Sequence, residues 1–247
     1  DENRFSYALN PLGRDYLNER KSERDLHEAA QSFGVNAKAE MYKLPAHFVG
    51  AYAEQDAALT LKLWQHFKGL IVREDVADVF DLETNVLKVV FEMRKRGVRV
   101  DIEKAEELKA QLEKQEQEVL AKAGGQDIDI WAAASIAKAF DAKGLRYPKT
   151  EKTQAPSFTK NFLANHEHEL PKAVVRAREL NKARTTFIDT ILKHNHNGRI
   201  HAEAHSLRSD DGGTVTGRFS YSNPNLQQVP ARNAEIGPMI RGLFLPE

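Results

Sequence analysis

Four long stretches of the chain carry apolar residues at three- and four-residue spacing, the period of a helix that buries one face. This spacing predicts helices over residues 48–67, 76–97, 101–124 and 173–194, and a shorter helix over residues 22–33. Gly and Pro residues interrupt the pattern between these stretches, as is typical of helix ends. We therefore expect a chain that folds mainly by packing helices against each other.

The carboxy-terminal part of the sequence has a different pattern. Ile200, Ala202 and Ala204 alternate with polar residues, which predicts a strand. The residues that follow are rich in Gly and Pro and show no helical period, so we expect loops on short strands. The predicted fold class is therefore α+β, with most residues in helices.

Composition narrows the class of protein. The chain has 247 residues, of which 41% are hydrophobic, enough for about one to two globular domains. It has no cysteine, which excludes disulfides and thiolate zinc sites and agrees with a reducing cytoplasm. It does not begin with methionine, and no stretch of about 20 apolar residues could cross a membrane. We therefore expect a piece of a soluble cytoplasmic protein.

Charge is distributed unevenly along the chain. The sequence holds 36 basic and 36 acidic residues, but residues 143–247 hold 16 basic and 10 acidic ones. A polyanion is therefore expected to contact the carboxy-terminal part. In and beside the predicted helix over residues 173–194, Lys172, Arg176 and Lys182 are candidates for phosphate contacts. The alternative is an ordinary solvated helix face.

The most informative segment covers residues 214–230 and reads TVTGRFSYSNPNLQQVP. It combines Thr-Gly-Arg at residues 216–218 with Asn-Pro-Asn-Leu-Gln at residues 223–227, followed by Pro230. Glycine lets a backbone come close to a ligand, and proline restricts the conformations of a loop. A Pro-rich surface loop with solvated side chains is the alternative. The segment resembles the one by which family A DNA polymerases enter the palm domain.

This resemblance implies roles for individual residues. Every Watson-Crick pair presents acceptors in the minor groove, so a donor there tests the shape of the pair and not its sequence. Arg218 would make this contact at the primer end. Thr216, Asn225, Gln227 and Gln228 would be further DNA-binding residues.

Tyr52 and Asp56 form a second motif. They lie four residues apart in a predicted helix, so the phenol and the carboxylate share one face. On its own such a pair is usually structural, but its place in the chain resembles the third motif of the 3′-5′ exonuclease domain of family A. By this resemblance Asp56 would bind one of two Mg²⁺ ions and Tyr52 would position the attacking water. The motifs that supply the remaining carboxylates lie upstream in the family.

The resemblance covers essentially the whole chain and implies three domains. Residues 1–69 would be the end of an RNase H-like 3′-5′ exonuclease domain, residues 70–197 a helical thumb, and residues 198–247 the first strands of the palm. The implied function is template-dependent synthesis of phage DNA. Its partners would be primer-template DNA and deoxynucleoside triphosphates, and Arg232 is a candidate contact to the nucleotide phosphates.

The resemblance also implies what this sequence lacks. Family A enzymes hold Mg²⁺ with two palm aspartates, and neither the segment that carries them nor the fingers is part of the sequence. We therefore expect a second polypeptide or a missing segment to supply palm and fingers, and this chain alone to be inactive. Two alternatives stay open. One is a stand-alone 3′-5′ exonuclease of the RNase D type, which has no use for residues 214–230, and the other is a non-catalytic DNA-binding subunit.

Overall fold

The structure, a computed structural model, describes residues 3–231 and 233–246. Most of these residues are helical, in agreement with the predicted fold class. The helices of the described residues are α1 (Leu9–Leu17), α2 (Arg24–Ser32), α3 (Ala46–Arg73), α4 (Ala77–Arg96), α5 (Ile102–Lys122), α6 (Ala133–Ala142), α7 (Lys160–Ala164), α8 (Glu169–Lys182), α9 (Asp189–Lys193) and α10 (Ile236–Arg241).

The strands in this part of the chain are short and form two small sheets. In the first sheet β3 (Arg199–Ile200) is central and pairs antiparallel with both β1 (Val98–Arg99) and β2 (Asn195–His196). The second sheet contains β4 (Glu203–His205) and β5 (Ser220–Ser222). The single strand predicted around residue 202 is therefore divided between two sheets, because the chain leaves the first sheet after the end of β3.

The described chain divides into two compact units. Residues 3–93 and 204–221 form one, the amino-terminal unit, and residues 94–203 and 222–246 form the other, the carboxy-terminal unit. The domain boundaries predicted at residues 69 and 197 are not the limits of these units and stay predictions.

The main core of the carboxy-terminal unit lies where α5 packs against α8. Leu108 of α5, Leu180 of α8 and Ile240 of α10 belong to one buried cluster. Asp101 caps α5, because its carboxylate accepts a hydrogen bond from the Lys104 N–H at 3.0 Å. This packing fixes α8, whose other face carries the predicted DNA-contacting cations.

The helix predicted over residues 173–194 is present, but it is not a uniform α-helix. Ala183–Ile188 form a π-helical segment between α8 and α9. Ala183 and Ile188 are 1% and 0% exposed, so both face the core although they are five residues apart. A π-helix places residues five apart on the same face, whereas an α-helix turns the second one away. The need to bury both side chains accounts for the wider turn.

The amino-terminal unit is built on α3, against which α1 and α2 pack. Leu26 of α2 and Leu59 of α3 are 3% and 4% exposed. Gly13 allows α1 to approach closely, because a Cβ atom there would lie 2.9 Å from a methyl carbon of Leu59. Helix α1 was not predicted, since Pro11 and Gly13 disrupt its periodicity. Proline is tolerated there because the first turn of a helix needs no donor.

Candidate nucleic-acid interface and carboxylate cluster

Arg218 lies on an exposed loop of the amino-terminal unit, between β4 and β5. The Thr214 hydroxyl donates a hydrogen bond to the Arg218 carbonyl at 2.8 Å, and Thr216 Oγ1 lies 3.2 Å from Thr214 Oγ1. Across residues 3–231 and 233–246, no side chain bonds to or pairs with the Arg218 guanidinium. The predicted minor-groove donor is therefore accessible from solvent.

Two glycines give this loop its shape. Gly213, at its base, has a φ of +92°, and a Cβ atom there would lie 2.2 Å from the Leu207 carbonyl oxygen and 2.5 Å from Arg208 Cα. Gly217, at its tip, has a φ of +68°, and nothing lies within 4 Å of a Cβ atom built there. The base is thus closely packed against backbone, whereas the tip is open.

The predicted DNA-binding amides Asn225, Gln227 and Gln228 lie at a short 3-10 turn, Leu226–Gln228, in the carboxy-terminal unit. The Asn225 side-chain oxygen accepts a hydrogen bond from the Gln227 N–H at 3.1 Å and so caps this turn. Leu226 packs against the main core, which leaves the three amide side chains exposed.

The predicted cations of α8 lie at the surface with different degrees of pairing. Lys172 is exposed and lies 3.2 Å from Glu169, the first residue of α8. Arg176 pairs with Glu179 at 3.8 Å and also with Glu235. Lys182 is exposed at the end of α8. The two lysines are thus more accessible to a polyanion than Arg176.

Two further arginines of this basic helix stabilise the fold instead. Arg178 donates from Nε to the Ile130 carbonyl at 2.7 Å and from Nη1 to the Phe158 carbonyl at 3.2 Å. Burial lowers the pKa of the Arg178 guanidinium. Arg184 lies 3.4 Å from the Glu116 carboxylate on α5. Charge alone did not distinguish these residues from the exposed lysines.

Tyr52 and Asp56 share one face of α3, as their spacing predicts, and a third residue joins them. The ammonium of Lys21 lies 2.7 Å from Tyr52 Oη and 3.0 Å from Asp56 Oδ1. Lys21 belongs to the segment between α1 and α2. No sequence pattern predicts this contact, because Lys21 lies in a charged stretch, beside Arg20, that is typical of a solvated loop.

Lys21 is strongly held as a cation. Burial on its own would lower the pKa of its ammonium, but the hydrogen bonds with Tyr52 and Asp56 outweigh that effect and raise the pKa above its ordinary value. Glu23 lies 3.5 Å from the same ammonium. The pKa of Glu23 is held below its usual value, because its hydrogen bond with His27 and the nearby cations outweigh its burial.

The described residues do not by themselves fit a two-metal site. Such a site needs about four carboxylates. In the described ranges, no group of three or more His, Cys, Asp or Glu residues could hold a metal ion. Both carboxylate oxygens of Asp56 lie within 3.3 Å of the Lys21 ammonium, at 3.0 and 3.3 Å. The metal-binding role of Asp56 stays a prediction.

Two other expectations concern Arg232 and the absence of a membrane span. Arg232, the candidate contact to nucleotide phosphates, lies outside the described residues. None of the helices in the described ranges is long and apolar enough to cross a membrane.

Comparisons with known proteins agree on one family. Residues 101–247 match the model of DNA polymerase family A. The chain is 34% identical to a DNA-directed DNA polymerase of Pseudomonas phage M6, over 98% of this chain and 38% of that protein. It is 32% identical to DNA polymerase DpoZ of Acinetobacter phage SH-Ab 15497, over 100% of this chain and 44% of that protein.

A solved structure has the same fold. The POL domain of Pol1 from M. smegmatis, in complex with DNA primer-template and dNTP, has a TM-score of 0.70 at 22% identity, over 99% of this chain and 39% of that one. The chain spans less than half the length of the curated phage relatives it matches. The resemblance found in residues 214–230 is confirmed by these matches, and this chain belongs to DNA polymerase family A.

Proposed function

We propose that this chain is the DNA-binding part of a template-dependent DNA polymerase that replicates phage DNA in the host cytoplasm. Membership of family A and the two phage relatives named as DNA polymerases support this proposal. In the complete enzyme the chain would contact primer-template DNA. Residues outside it would hold most of the deoxynucleoside triphosphate and the divalent ions that assist nucleotide transfer.

The observation that carries this proposal is the exposure of the cations predicted to contact DNA. Lys172, Lys182 and Arg218 are exposed, whereas Arg178 and Arg184 bind protein groups. A cation that makes few protein contacts can pair with a phosphate and release the counterion bound there. The exposed lysines of α8 are therefore suited to phosphates, and Arg218 is suited to a base acceptor.

A salt titration of DNA binding tests the role of α8. We expect the double variant Lys172→Ala, Lys182→Ala to bind a primer-template duplex more weakly, whatever the duplex sequence. The binding constant K falls as salt rises, and each lost phosphate contact makes the slope of log K against log salt concentration less steep by about 1. The slope of the double variant should therefore be less steep by about 2. Fluorescence anisotropy of a labelled duplex, between about 50 and 200 mM salt, measures both quantities.

Lys114→Ala is a matched control. Lys114 is an exposed lysine on α5, with its Nζ 4.0 Å from Glu118. Its removal should leave both the affinity and the slope as in the wild-type chain. A wild-type slope in the double variant would contradict the proposal, as would a wild-type chain that does not bind the duplex.

A non-catalytic DNA-binding subunit would use the same contacts. Metal-dependent primer extension by a complex reassembled from this chain and the remaining polymerase segments distinguishes the two functions. Extension is expected of a polymerase part and not of a subunit that only binds DNA. The exonuclease roles of Tyr52 and Asp56 stay predictions.

A further inference from the structure

Two hydrogen bonds from backbone N–H groups, those of Lys21 and Ser22, hold the Lys21 side chain near Asp56. The N–H of Lys21 donates to the Asn10 side-chain oxygen at 3.3 Å, and the N–H of Ser22 donates to the Gln55 side-chain oxygen at 3.1 Å. Gln55 is the residue before Asp56 on α3. The segment that carries the ammonium is thus tied to the helix that carries the carboxylate.

The Lys21 ammonium has acceptors for its three donors. Nζ lies 2.7 Å from Tyr52 Oη, 3.0 and 3.3 Å from the two Asp56 oxygens, and 3.5 Å from Glu23 Oε1. It also lies 4.4 Å from the centroid of the Tyr52 ring, within the range of a cation–π contact. The Lys21 side chain is only 9% exposed, so water competes little with these contacts.

Of the two carboxylates near the Lys21 ammonium, Asp56 is the one that relies on it for an ion pair. The second carboxylate, Glu23, has partners of its own, with Lys38 at 3.9 Å and His27 at 3.4 Å. In the described part of the chain, Lys21 is the cation that pairs with Asp56. Mg²⁺ binds oxygen at about 2.0 to 2.1 Å, so an ion on Asp56 would lie close to the ammonium. Like charges at that separation repel each other in a partly buried site.

We propose that Lys21 is the resident cation of this site and that it keeps divalent ions from binding to Asp56. Tyr52, Asp56 and Lys21 then form an ion-paired contact that joins α3 to the segment before α2. A divalent site forms only where the Lys21 side chain has been removed or displaced. This inference does not rest on DNA binding, and its test contains no DNA.

Manganese binding to the 247-residue chain tests the proposal. Mn²⁺ prefers the same oxygen ligands as Mg²⁺, and electron paramagnetic resonance counts the free ion in solution. Lys21→Met keeps most of the side-chain volume and removes the charge. The carboxylates of Asp56 and Glu23 both lie within 3.5 Å of the position of the ammonium, so this variant should bind one Mn²⁺ there about tenfold or more tightly than the wild-type chain does, since the repulsion is gone. Adding Asp56→Asn to this variant should remove the gained site.

Lys62→Met is the matched control. Lys62 pairs with Glu19 at 2.8 Å on the surface of the same unit, and its loss should leave Mn²⁺ binding as in the wild type. The wild-type chain offers a second test, which needs no variant. Bound Mn²⁺ broadens the nuclear magnetic resonance signals of nearby amides. The signals around Asp56 should stay sharp. Broadening there, or a folded Lys21→Met chain that gains no site, would overturn the proposal.

Discussion

Arg178 and Arg218 show how the surroundings of a residue decide its role. Arg178 donates to two backbone carbonyls and lies partly buried, so its donors are engaged within the protein. Arg218 is exposed and, among the described residues, has no side-chain partner for its guanidinium. Its donors are therefore available to the N3 or O2 acceptor of a base pair.

Arg218→Ala in a complete polymerase that contains this chain should lower catalytic efficiency far more than duplex binding. A hydrogen bond to a charged group contributes about 1.5 to 3 kcal/mol, which corresponds to roughly 10- to 150-fold in kcat/KM. Steady-state insertion of a single nucleotide measures the loss. Arg24→Ala is the control, because Arg24 is an exposed arginine of α2 paired only with neighbouring Glu28 in the described structure.

The primer terminus itself can identify the acceptor for Arg218. A primer whose terminal guanine is replaced by 3-deazaguanine lacks the minor-groove N3. This replacement should impair the unmodified enzyme and add little to the defect of Arg218→Ala, because both changes remove the same hydrogen bond. Fully additive defects would show that Arg218 does not make this contact.

Single residues were predictable from the sequence where spacing carries information. Tyr52 and Asp56 lie four residues apart, and helical geometry brings them to one face. Lys21 is 35 residues from Asp56, and only the packing of α1 and α2 on α3 brings it there. No local pattern encodes such a contact.

At the scale of elements, helices with long apolar periods were predicted well and short ones were missed. The helix over residues 101–124 is confirmed as α5, with its cap at Asp101. Helix α10 was missed because six residues that include Gly237 and Pro238 show no period. The π-helical segment was missed because nothing in the local sequence requires Ala183 and Ile188 to face the same core.

Ile188→Ala tests the packing of this π-helical segment. Ile188 is 0% exposed, and removing a buried Ile side chain costs about 2 to 5 kcal/mol of unfolding free energy. Urea unfolding followed by the fluorescence of Trp131, in a Trp64→Phe background, reports on the carboxy-terminal unit. Thr186→Ala, at an exposed position of the same segment, should change stability by less than about 0.5 kcal/mol. Equal losses would contradict the described packing.

At the scale of the whole molecule, our proposal places the nucleotide-transfer site mostly outside this chain. The chain spans 38% and 44% of two phage polymerases. Within residues 3–231 and 233–246, no cluster of three or more acidic or histidine residues could hold a metal ion. Two palm aspartates hold Mg²⁺ for nucleotide transfer in this family, and residues 1–247 do not include the segment that carries them.

The 247-residue chain alone should therefore incorporate no nucleotides. Primer extension with Mg²⁺ and all four deoxynucleoside triphosphates measures this, with a complete family A polymerase as the positive control. The chain should bind the primer-template without lengthening it. Templated extension by the pure chain would contradict the expectation and would require metal ligands beyond those described.

The two glycines of the Arg218 loop set different limits on how this protein can diverge. At Gly213 any side chain would collide with the backbone at Leu207, so the base of the loop cannot change without moving its path. At Gly217 there is open space, and only the positive φ has to be kept, which Asn and Asp can also adopt. A substitution is thus tolerated more readily at the tip of the loop than at its base, and Arg218 can keep its position when Gly217 is replaced.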